Sequence, residues 1–127
     1  MRRVLVVAAV LALIALPAVG QAKGAGKTAT RTVKGEVVDT GCYMAKGAAA
    51  TGEGHKECAG KCFANGMPAG LLTEKGELLL LLPDHQNGQP YKDALGMPGE
   101  QLEISGTMMT RNGMKALSVT AVKKSGA

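Results

Sequence analysis

The alternation of apolar and polar positions along the chain predicts a mainly β domain. Segments rich in β-branched residues or leucine and bounded by turn formers predict five strands, at 32–40, 70–73, 77–82, 101–110 and 114–122. The last two strands flank Arg111-Asn112-Gly113, and Asn-Gly between two such segments is a strong hairpin signal. We therefore expect the domain to end on a long hairpin.

Alternate residues of this final hairpin predict which side chains face the core. Side chains two apart on a strand lie on the same face of a sheet. The predicted inward set is Leu102, Ile104, Gly106 and Met108 on the first strand, and Leu117, Val119 and Ala121 on the second.

Helix is predicted mainly at 55–65, which has helix-compatible residues, Glu53 near its start and Gly66 in the stop position. A single helical turn is expected at 91–95, whereas 45–54 is Gly-rich and predicts a loop. Five strands with one short helix after the first strand predict a small, partly open β-barrel of the OB-like kind. The usual OB order places the helix after the third strand.

The N-terminal end has the pattern of a signal peptide. A positive Arg2-Arg3 pair precedes an apolar run over 4–16, which is shorter than the roughly 20 residues that a membrane-spanning helix needs. We expect 1–22 to be a signal peptide, 23–31 a flexible basic leader and 32–124 the single barrel domain. This predicts a periplasmic or secreted protein with no membrane span after signal removal.

Composition argues against nucleic-acid binding. All ten acidic residues lie between Gly35 and Val122, against seven of the fifteen basic ones, so the predicted domain is mildly acidic. Its only aromatic residues are Tyr43, Phe63 and Tyr91, too few for the stacking platforms that single-stranded nucleic acid uses. The expected partners are a metal ion and another protein.

Candidate chemistry is concentrated in a C-x12-H-x2-C-x3-C pattern formed by Cys42, His55, Cys58 and Cys62. At about 100° per residue, the last three share one stripe of a helix, which Cys42 can approach from the end of the first strand. Three thiolates and an imidazole suit structural Zn(II), and thiolates with help from Met44 suit Cu(I). The pattern predicts a metal-binding domain with these four residues as ligands, and not an enzyme.

Two other interpretations of the cysteines stay open. In an exported protein, Cys42 could form a disulfide with Cys58 or Cys62 and leave one thiol over, giving a stapled structural or interaction module. A thiol oxidoreductase would use His55 as the base beside Cys58 or Cys62, although no third, orienting residue is evident. The odd number of cysteines favours the metal site.

Two further polar residues are candidates for supporting roles. Asp39 precedes the cluster and could orient His55 through a hydrogen bond, as metal-bound histidines often require. His85 follows a predicted strand and reads first as a solvated turn residue. It is also a reserve ligand in case Cys42 pairs elsewhere.

The motifs VKGEVVDTGCY, HKECAGKC and GMPAGLL resemble those of a group of small exported bacterial proteins of unassigned activity. The closing ISGTMMTRNGMKALSV hairpin looks like the last strands of bacterial OB-type barrels. The resemblance covers most of the predicted domain. It implies that Cys42, His55, Cys58 and Cys62 form one unit, and it carries no substrate with it.

Overall fold

The structure is a computed structural model that describes residues 29–126, so the predicted signal peptide and residues 23–28 of the predicted leader lie outside the described residues. The remaining leader residues, 29–31, are not a flexible segment, because they pair with a neighbouring strand. The elements, in chain order, are β1 Ala29–Asp39, α1 Thr40–Lys46, two 3-10 turns at Gly47–Ala50 and Glu53–His55, α2 Lys56–Ala64, β2 Ala69–Thr73, β3 Leu78–Pro83, α3 Gln89–Leu95, β4 Gln101–Arg111 and β5 Met114–Lys124. Within this part of the chain, no helix is long and apolar enough to cross a bilayer.

The five strands form a closed barrel in the order β1-β2-β3-β5-β4, with β4 pairing back onto β1. All neighbours are antiparallel except β3 and β5, which run parallel. The predicted small OB-like barrel is confirmed, and the pairing of β1 with β4 closes it. The helical turn expected at 91–95 is part of α3, which lies between β3 and β4, where the OB order places its helix.

The barrel interior is filled by leucine, isoleucine and valine, against which small and aromatic helix residues pack. The fully buried large side chains are Leu71, Leu79, Leu81, Leu102, Ile104, Leu117, Val37, Val38 and Val119. Ala59 and Phe63 of α2 and Ala94 of α3 belong to the same core. Both helices are therefore anchored to the barrel through apolar contacts.

Strand β3 is buried on one face only, although its run of leucines predicted burial on both. Leu79 and Leu81 point into the core, while Leu78, Leu80 and Leu82 are partly exposed. Leu80 and Leu82 line surface grooves with neighbouring residues of β4 and β5. An apolar run without alternation could not distinguish these two situations.

Because of a β-bulge, the inward face of β5 differs from the predicted one. Ser105 pairs with Ala121 but Gly106 pairs with Val119, so Thr120 is the extra residue. Beyond the bulge the alternation shifts by one, so that Ala121 is exposed and Val122 packs against the core. Glycine is required at Gly106, because a Cβ there would lie 2.1 Å from the carbonyl oxygen of Ser118.

Candidate metal centre

The position of Cys42 is set by Asp39, the last residue of β1. Its carboxylate Oδ1 accepts hydrogen bonds from the backbone N–H groups of Gly41, at 2.8 Å, and Cys42, at 3.3 Å. This is an N-cap, and it starts α1 immediately after the strand. The segment that was predicted as strand end and loop is therefore helical at 40–46, and Cys42 lies in its first turn.

The positions of Cys58 and Cys62 follow from the packing of α2. Ala59 and Phe63 are buried against the barrel, which leaves their neighbours Cys58 and Cys62 one turn apart at the edge of that contact. The predicted helix at 55–65 is confirmed as Lys56–Ala64.

A polar connection joins the two helices that carry the cysteines. The backbone N–H of Thr40 donates to the carbonyl of Pro68 at 3.1 Å, and the Thr40 hydroxyl donates to the same oxygen at 2.8 Å. The N–H of Met67 in turn donates to the carbonyl of Cys62 at 3.0 Å. These bonds hold the start of α1 beside the chain that leaves α2.

The three cysteines meet at this junction and could hold a metal ion. The sulfur atoms of Cys42, Cys58 and Cys62 all lie within 4.8 Å of one another. All three are free thiols; Cys58 is exposed and the other two are half-buried. Two sulfurs bound to one zinc ion at about 2.3 Å each lie within about 4.6 Å of each other, so the cluster has about the size that a shared ion requires.

Neither histidine places a ring nitrogen in the cluster formed by the three sulfur atoms. His55 occupies the N-cap position of α2 without a capping hydrogen bond from its side chain, and its Nε2 is buried without a hydrogen-bond partner among the described residues. Its assignment as a metal ligand stays a prediction. His85 is an exposed residue of the segment after β3 and lines a surface groove with Asp84. Met44, considered for Cu(I), is 76% exposed on α1.

Asp39 was expected to hydrogen-bond to His55, but in the structure it lies beside the cysteines. Its fully buried carboxylate faces the thiols of Cys62 and Cys42, where His55 was expected. The cap pattern of Asp39 followed by a helix was readable in principle, but the β-branched run before it extended the strand prediction to Thr40. The loop predicted at 45–54 overlaps the end of α1, so this helix was not predicted.

Burial and hydrogen bonding act in opposite directions on Asp39. Burial raises the pKa of its carboxyl, but hydrogen bonds from Cys62, Cys42 and the capped amides outweigh this and hold the pKa below its usual value. Conversely, the hydrogen bond to Asp39, burial and the charge of Asp39 together raise the pKa of Cys62 to about 12 and also raise the pKa of Cys42. A reactive catalytic cysteine needs the opposite shift.

No known family model matches this chain, and no significant similarity to a curated protein or to a solved structure is found. Fold and site therefore define the class by themselves: a closed, five-stranded OB-like barrel with a three-cysteine cluster on the helices between its first two strands.

Proposed function

We propose that this protein is an exported metal-binding domain that holds Zn(II) or Cu(I) through the thiolates of Cys42, Cys58 and Cys62, with His55 as the fourth ligand. The observation that carries the proposal is the convergence of three free thiols, from two separate helices, within 4.8 Å of one another. Thiolates are the ligands that both metals prefer.

The number of cysteines favours a metal over a disulfide. Any disulfide joins two of the sulfurs and leaves the third as an unpaired thiol, which is prone to oxidation outside the cytoplasm. A bond between Cys58 and Cys62 would in addition have to distort α2, because both lie within one regular helix. A metal ion uses all three thiolates and protects them.

The fourth ligand matters mainly for zinc. Structural Zn(II) sites are tetrahedral, whereas Cu(I) is satisfied by three thiolates. His55 precedes Cys58 by three residues at the start of the same helix, and its buried Nε2 has no partner among residues 29–126. Coordination of the metal by this nitrogen would both satisfy it and complete a four-ligand site.

Metal content and a free-thiol count on protein purified from the periplasm without chelator test the proposal. We expect about one zinc or copper per chain, with all three thiols titrating only after denaturation and chelation. Cys58→Ser should abolish metal binding, while Ala64→Ser, an exposed change on the same helix, should not. A metal-free protein with a single titratable thiol would instead identify a disulfide-stapled module.

Export is tested separately from metal binding. We expect intact-mass measurement of the periplasmic protein to show loss of residues 1–22. Recovery of the full-length chain from the cytoplasm would contradict export and leave the metal site untouched.

A further inference from the structure

The two oxygens of the Asp39 carboxylate differ in their hydrogen bonding. The residue is fully buried, and its Oδ1 already accepts two backbone hydrogen bonds at the start of α1. Its Oδ2 is buried without a partner of hydrogen-bond geometry among the described residues. A buried carboxylate oxygen left in this state is costly, so it needs a donor or a cation nearby.

The groups that face this carboxylate are members of the cysteine cluster. The backbone N–H of Cys42 lies 3.3 Å from Asp39 Oδ1, and the thiols of Cys62 and Cys42 both lower the pKa of this carboxyl. Binding of a metal displaces the thiol protons, because thiolates are the ligands. The carboxylate then lies beside thiolates instead of thiols, and the metal ion compensates the added negative charge.

We infer that Asp39 is the charge-selecting residue of this metal centre, which makes the site favour a divalent ion, Zn(II), over Cu(I). The inference rests on the proposed metal site and adds to it a preference between the two metals. Asp39 acts as a positioning residue, since its Oδ1 holds Cys42 in place while its charge acts on the bound ion.

Charge and donor chemistry both lead to this preference. Three thiolates would hold the ion with the Asp39 carboxylate as their charged neighbour, and Zn(II) leaves one negative charge fewer uncompensated than Cu(I) does. Uncompensated charge in a partly buried site is unfavourable. A carboxylate oxygen is also a common zinc neighbour or ligand, whereas Cu(I) selects soft sulfur donors.

Asp39→Asn tests the inference, because asparagine keeps an oxygen for the N-cap and removes the charge, with an NH2 group in place of the second oxygen. Zn(II) affinity is measured by competition with a chromogenic chelator, and Cu(I) affinity by anaerobic competition with a Cu(I)-specific chelator. We expect Zn(II) affinity to fall on the order of 10- to 100-fold, with Cu(I) affinity little changed or raised. Circular dichroism of the metal-free variant checks its fold, and Asp39→Ser, which also retains a capping oxygen, serves if Asp39→Asn does not fold.

Asp84→Asn is the matched control. Asp84 has the same local chemistry, since its Oδ1 accepts hydrogen bonds from the amides of Gln86 and Asn87, but no cysteine contributes to its pKa shift. This control should bind both metals as the unmodified chain does.

Each of three results would overturn a different claim. Equal weakening of Zn(II) and Cu(I) binding in Asp39→Asn would show that the residue only supports the structure. Unchanged affinities would show that its charge has no influence on the ion. Failure of the unmodified chain to bind either metal would overturn the proposed metal site itself.

Discussion

The final hairpin and the helical segment at 40–64 are held in place by different forces. The hairpin of β4 and β5 has backbone pairing from Leu102 to Arg111, interrupted only by the bulge at Thr120, and contributes several of the fully buried side chains. The helical segment buries only Ala50, Ala59 and Phe63, and otherwise depends on single polar bonds such as the one from the Gly52 amide to Glu36. The barrel therefore forms a stable frame, and the segment that carries the cysteines depends on it.

This difference implies that a bound metal would stabilise a different part of the molecule from the part that the core stabilises. Regions with few buried apolar contacts open locally at a free-energy cost well below that of global unfolding. A metal bound by Cys42, Cys58 and Cys62 would tie α1 to α2 and reinforce the weaker region. The following predictions, from the largest effect to the smallest, test that division.

The largest effect on the free energy of unfolding is expected from a substitution in the barrel core. Leu117→Ala removes a fully buried side chain from β5 and should lower the free energy of unfolding by about 2–5 kcal/mol, through lost burial and the cavity that is left. Urea unfolding of the metal-free protein measures the change. A loss of under about 1 kcal/mol would mean that the hairpin does not carry the stability assigned to it.

Metal binding should stabilise the helical segment more than the barrel. At a free Zn(II) concentration of 100 times the dissociation constant, mass action adds about 2.7 kcal/mol. We expect hydrogen exchange to slow mainly at Thr40–Lys46 and Lys56–Ala64. Removal of zinc with a chelator should restore the faster exchange. If zinc slowed exchange only in β4 and β5, the metal would not act on the helical segment.

A weakened α2 should impair metal binding without damaging the frame. Ala59→Gly removes a buried methyl group and lowers helix propensity, which together cost about 1 kcal/mol or somewhat more. We expect weaker Zn(II) binding with little change in the exchange rates of the barrel. Ala64→Gly, at an exposed position of the same helix, controls for propensity alone.

The smallest effect concerns thiol reactivity and leaves stability unchanged. Because the pKa of Cys62 is raised to about 12, its thiol stays protonated at neutral pH, and the thiolate fraction increases as the pH rises towards that value. In the metal-free protein, iodoacetamide should therefore modify the exposed Cys58 before Cys62, as mass spectrometry can show. Faster alkylation of Cys62 than of Cys58 at neutral pH would contradict the raised pKa of Cys62.

Local patterns in the sequence were sufficient for the elements whose contacts are local. The Asn-Gly signal identified the final turn, where Asn112 and Gly113 have φ angles of 50° and 82°, as a tight hairpin turn requires. Helical periodicity was likewise sufficient to place Cys58 and Cys62 on one side of α2.

Only the tertiary structure decided the features that depend on residues distant in sequence. The closure of β1 onto β4, the parallel pairing of β3 with β5 and the bulge that exchanges Ala121 for Val122 all arise between strands whose register no local pattern encodes. Cys42 joins the cluster because Asp39 starts α1 at the end of β1 and Thr40 is bonded to Pro68. The carboxylate beside the thiols follows from that same turn, since capping the helix buries Asp39 against the chain that returns from α2.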